Sequence, residues 1–145
     1  MGSEEERLSR SDGNADCLFC MIVAGEIPSE KVLETNGALA FRDINPGAPT
    51  HVLVIPKAHV ASAHELTRDH DGLLGEVFEV IAQVATQEGV GDGYRVVTNN
   101  GAPAGQSVFH LHFHVVGGRP LGWPPGLGTV LVVARMRLDR SHRRS

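Results

Sequence analysis

Apolar and polar positions along this chain change period several times, and each change marks an element. Residues 17–24 (CLFCMIVA) form an apolar run of one or two helical turns, stopped by Gly25. Lys31–Glu34 and Ala38–Arg42 read as short strands about an Asn36-Gly37 turn, a strong hairpin signal. Asn45, Pro46, Gly47 and Pro49 make a loop, and 51–56 (HVLVIP) is a buried β-branched strand closed by Pro56. Over 69–88 the period lengthens. Leu73, Leu74, Val77, Val80, Ile81 and Val84 recur at helical spacing, which predicts one long helix with Gly89 as its cap. Residues 94–98 (YRVVT) are a fourth strand, 99–106 (NNGAPAGQ) a turn-rich loop, and 109–117 (FHLHFHVVG) a strictly alternating fifth strand. The sum is an α+β domain: a five-stranded, mostly antiparallel sheet with one long and one short helix.

Length and charge narrow the picture. The 145 residues suit one domain, and 41% hydrophobic content is enough for a core built on Val, Leu, Ile and Ala, since aromatics are only 5%. Residues 1–15 are polar and read as a disordered leader, 16–126 as the folded domain, and 127–145 as a basic C-terminal extension with Arg135, Arg137, Arg140, Arg143 and Arg144. Thr129 to Val133 could form a strand docking on an edge of the sheet. The net charge of −4 argues against a nucleic-acid partner. No apolar stretch is long enough for a signal peptide or membrane span, so a cytoplasmic protein without a membrane partner is expected. Cys17 and Cys20 have C-x-x-C spacing, which in such a chain means a redox motif or half of a metal site rather than a structural disulfide.

The chemistry concentrates in the fifth strand. At period two, His110, His112 and His114 share a face, while Phe109, Leu111, Phe113 and Val115 point into the core. The outer two then stand about 13 Å apart along a strand rising roughly 3.3 Å per residue, too far to share one ion. A row of imidazoles suits nucleophilic, acid–base and orienting roles instead. The preceding loop offers Asn99, Gly101, Gly105, Gln106 and Ser107, whose amides and hydroxyl could wrap a phosphate. His64, His70 and His142 read as surface residues.

The run from Gln106 to Val116 (QSVFHLHFHVV) resembles the signature of the histidine triad (HIT) family. The likeness spans about residues 16–126 and includes the segments DCLFC from Asp16, GEIP from Gly25, FRDINP from Phe41, HVLVIPKAH from His51 and GYRVV from Gly93. Ser107 and the Trp123-Pro-Pro-Gly126 ending are similar to the Hint branch, the histidine triad nucleotide-binding proteins. Phe109 stands where many of these carry Tyr, and Leu127 to Ser145 extend past the family's usual end, which leaves specificity open.

The resemblance implies a homodimer with a ten-stranded sheet and hydrolysis of purine nucleoside 5′-phosphoramidates, AMP or GMP joined to an amine, through a nucleotidyl-histidine. His112 would be the nucleophile and His114 a phosphate contact, with His110 and His51 orienting. Asn99, Gly105, Gln106 and Ser107 would hold the phosphate, Ser107 also assisting the leaving amine. Asp43 would take the ribose hydroxyls, and Phe19, Ile27, Phe41 and Ile44 the base. Cys17, Cys20, His59 and His110 would form a Cys2His2 set for structural zinc, with no metal required for catalysis. Two alternatives stay open: a dinucleoside polyphosphate hydrolase, and a non-catalytic nucleotide-binding scaffold.

Overall fold

The computed structural model describes residues 16–126; the expected leader and basic extension lie outside the described residues, as does the strand expected at Thr129 to Val133. In chain order the elements are α1 (Leu18–Val23), β1 (Lys31–Glu34), β2 (Ala38–Arg42), β3 (Thr50–Pro56), α2 (Asp71–Gln87), β4 (Tyr94–Val97) and β5 (Phe113–Gly117). The five strands form one antiparallel sheet, as the patterning implies, in the order β1-β2-β3-β5-β4.

Helix α2 lies on one face of the sheet because its apolar stripe needs cover. Val77, Val80, Ile81 and Val84 are buried against Ala38, Ala40, Val52, Val54 and Val115, each such side chain contributing roughly 1.5–3 kcal/mol by leaving water. The helix starts two residues later than its periodicity suggests. Arg68–His70 form a 3-10 turn, and Thr67 caps it by accepting from the Asp69 amide. At the other end Gly89 takes φ +77°, which an L side chain resists, and the chain reverses there.

The opposite face carries a second, smaller core: Leu39, Phe41, Leu53 and Ile55 under Phe19 and Ile22 of α1. Gly37 earns its place in the β1–β2 hairpin through a neighbour. A Cβ there would lie 2.5 Å from Glu76 Oε1 of α2, whose carboxylate accepts from the Gly37 amide at 2.8 Å.

The expected fifth strand is cut short. Ladder pairing begins at Phe113, and residues 108–112 run as a bent segment held outside the ladder, with the Leu111 amide donating to Val60 O. Residues 110–113 are all buried, and strict alternation fails here. Phe109, expected in the core, is 50% exposed instead. The bend follows a 3-10 turn at Ala102–Ala104 and Gly105 at φ +101°, which redirect the chain before the ladder can start.

Candidate active site

The three histidines divide between two environments. His110 is fully buried and turned toward α1. Its Nε2 donates to Pro56 O at 2.8 Å, which leaves the Nδ1 lone pair free. That Nδ1 stands 3.4 Å from Cys17 Sγ and 3.4 Å from Cys20 Sγ, and His59 Nδ1 lies 3.2 Å from Cys20 Sγ. All four donor atoms fall within 4.8 Å of one another.

Tetrahedral zinc with bonds of about 2.0–2.3 Å sets its ligands roughly 3.3–3.8 Å apart, so the donor set fits a structural Cys2His2 zinc ion. The Pro56 carbonyl fixes the ligating tautomer of His110, as partners outside a coordination sphere commonly do. Burial and neighbouring Cys17 push the Cys20 thiol up to about 12, a cost that a divalent cation offsets by stabilising the thiolate. Burial alone lowers His59, keeping it in the neutral form a metal needs.

His112 and His114 face the other way, into a cavity of about 310 Å³. His112 Nδ1 donates to its neighbour's carbonyl, His110 O, at 2.7 Å, so the Nε2 lone pair is the free one. The tautomer of His114 follows from a chain of bonds. The Gly47 amide donates to His51 Nδ1 at 2.9 Å, so His51 carries its proton on Nε2. That proton points to His114 Nδ1 at 2.9 Å, with Asp43 Oδ2 at 3.3 Å beside it. His114 therefore accepts on Nδ1 and keeps its own proton on Nε2. One imidazole presents a lone pair and the next an N–H donor. Burial lowers both, His114 to about 4 with His112 and His51 adding to the effect, so both are neutral near pH 7.

The cavity beside them has apolar walls and a polar mouth. Phe19, Phe41 and Ile44, expected to hold a base, line it, as do Asp43 and Ser107. Phe19 stands edge-on to both Phe41 and His112, with ring centroids 5.4 and 5.0 Å apart. Ile27 is not part of the lining; it packs into the smaller core beneath. Leu18, Ile22, Leu53 and Val108 line the cavity although the sequence reading passed over them. Leu53 was findable, since it follows His51 by two on β3 and so shares its face.

The loop residues divide as well. Gln106 is buried, accepting from the Gly101 amide and donating to Ala61 O and Val108 O. Its side-chain amide thus braces the loop from inside. Asn99 and Gly105 lie close together, but neither lines the His112 cavity; Asn99 borders a second cavity near β4. No helix among the described residues is long and apolar enough to cross a membrane.

Comparison with known proteins agrees with this geometry. The HIT domain family matches residues 24–121. An uncharacterized HIT-like protein of Synechococcus elongatus is 49% identical over 111 residues, 77% of this chain and 97% of that protein. The 14 kDa zinc-binding protein of Zea mays is 47% identical over 131 residues, covering 87% of this chain and all of its own. Among solved structures, a HIT family hydrolase from Legionella pneumophila Philadelphia 1 superposes with TM-score 0.74 at 47% identity, over 76% of this chain and 99% of that one. A histidine triad nucleotide-binding protein from Candida albicans gives TM-score 0.65 at 33% identity, over 88% and 96%. With the family matched across most of its described length, this chain belongs to the HIT domain family.

Proposed function

We propose that the protein hydrolyses purine nucleoside 5′-phosphoramidates, with His112 as the nucleophile, in the manner of the Hint branch. The observation that carries this reading is the complementary tautomer pair: a buried neutral His112 with its Nε2 lone pair free, beside His114 with an N–H to donate. Its hydrolase character is in keeping with the solved relatives from Legionella pneumophila and Clostridium thermocellum, both HIT family hydrolases.

In this mechanism the nucleoside enters the apolar cavity, its base between Phe19, Phe41 and Ile44 and its ribose hydroxyls toward Asp43. His112 Nε2 attacks the α-phosphorus as the P–N bond breaks, and the amine leaves with a proton supplied through Ser107 and water. His114 Nε2–H donates to a phosphate oxygen as charge builds there, supported by Ser107. Water then attacks phosphorus, the P–Nε2 bond breaks, and the nucleoside monophosphate departs. Zinc, when bound, supplies no chemistry to these steps; Cys17, Cys20, His59 and His110 would hold it as a structural ion. The same reading makes the working form a homodimer joined at β4, an edge of the sheet.

Replacing His112 with Asn is expected to lower phosphoramidate hydrolysis by roughly three orders of magnitude or more, with little change in melting temperature. Undiminished hydrolysis by His112→Asn contradicts the mechanism. A dinucleoside polyphosphate assayed alongside decides between leaving groups.

A further inference from the structure

The second cavity, about 280 Å³, lies on the same sheet face and is built from different residues. Strand register places it. Leu53 on β3 and Val97 on β4 are the two cross-strand partners of His114; Leu53 lines the first cavity and Val97 the second. Val116, also in the second cavity, pairs with His51. Gly47 lines it too, and its amide donates to His51. His114 thus stands between a wall residue of the first cavity and one of the second. A nucleotide seated in the first with its phosphorus at the histidines directs its remaining substituent toward the second.

That cavity has a distinct charge. Arg95 and Arg119 both line it, and no carboxylate does among the described residues. Backbone bonds hold both guanidiniums in place: Arg95 Nη1 donates to Gly122 O at 2.8 Å, and Arg119 donates to Pro120 O and Gly47 O at 3.0 Å each. Each retains further N–H donors, in the planar fork that matches a carboxylate or phosphate. Val97, Val116 and Leu121 supply an apolar floor.

We infer that this cavity binds the leaving group, and that Arg95 and Arg119 select leaving groups carrying an anionic substituent, a carboxylate or a phosphate. The inference rests on the proposed phosphoramidate reading. It makes the two arginines specificity-determining residues, with no part in bond making.

The test uses the full chain and three substrates: AMP joined through nitrogen to an amino acid with a free carboxylate, the same compound as its carboxamide, and a dinucleoside polyphosphate. The carboxylate substrate is expected to exceed the carboxamide in kcat/KM by about tenfold, the worth of one charge-assisted hydrogen bond. Arg119→Gln should erase that ratio, mainly through a raised KM for the carboxylate substrate. If the dinucleotide shows the same sensitivity to Arg119→Gln, phosphate shares the site; if it does not, the selected anion is the carboxylate. Because Arg119 also donates to Gly47 O, Arg119→Glu, which loses the same backbone bond as Arg119→Gln, is the second variant, expected to invert the preference between the two substrates. Equal wild-type rates on carboxylate and carboxamide, or a ratio that survives both variants, overturns the inference. Failure to cleave any of the three, by contrast, overturns the parent reading.

Discussion

His110 and His112 stand two residues apart, yet one belongs to a metal-type cluster and the other lines a cavity. His110 is sealed in, its Nε2 held by Pro56 O and its Nδ1 aimed at two thiols. His112 borders an open cavity, its Nδ1 held by the carbonyl of His110 and its Nε2 free. What separates them is which nitrogen the backbone occupies. Occupying Nε2 leaves Nδ1 to face the thiols, and occupying Nδ1 leaves Nε2 free, the atom proposed to act as nucleophile. The two regions also touch, because the carbonyl of His110 itself accepts from His112 Nδ1 and so orients that ring.

The comparison can be broken on the metal side first. Cys17→Ser removes a donor from the Cys2His2 set and is expected to abolish stoichiometric zinc and to lower the melting temperature by well over 5 °C, since structural zinc contributes several kcal/mol to folding. Metal analysis with calorimetry checks this. Zinc-free parent protein that melts at the same temperature as the zinc-loaded parent would mean the cluster contributes nothing through metal.

A smaller effect is expected on the catalytic side. His51→Phe deletes the donor that fixes the His114 tautomer, and kcat should fall by about tenfold, one hydrogen bond's worth, with zinc content unchanged. A drop in zinc content would show that the two regions are less separate than their geometry implies.

The smallest effect concerns pH. His114 sits at about 4 in the fold against an ordinary 6.5. Between those values the unfolded chain takes up a proton that the folded chain refuses, so this contribution to stability is present above about pH 6.5 and declines as the pH falls toward 4. Melting curves of the parent and of His114→Asn, both zinc-loaded, should diverge most at neutral pH and converge in acid. Curves that stay parallel down to pH 4 would mean His114 does not carry this linkage.

How much of this was legible in the sequence depended on whether a pattern had one physical cause or two. The α2 stripe had one, and its periodicity located the helix within two residues. The alternation at 109–117 had two. It reads as a continuous strand, but the first half is an extended segment bent by Gly105 and pulled inward at His110, so Phe109 ends exposed and the sharing of one face fails. Gln106 reads as a phosphate ligand because amides suit both tasks; only its three side-chain bonds, to Gly101, Ala61 and Val108, show that the side chain ties the loop to its neighbours. Ile27 and Leu53 are both apolar and neither is marked by its type as wall or core. Strand parity with His51 marks Leu53 as a wall residue, a signal the expected set did not use, and nothing local marks Ile27 as core. The C-x-x-C spacing left redox and metal roles open, and it took the approach of His59 and His110 from distant positions to give the fit to zinc.

The central claim is that His112 forms a covalent bond to phosphorus. Mixing the full chain with an AMP phosphoramidate, quenching in milliseconds without acid and mapping peptides by mass spectrometry tests it directly. The expected result is one nucleotidyl group on His112 that forms and decays at least as fast as turnover. Turnover with no adduct at any time, or an adduct on another residue, would contradict it.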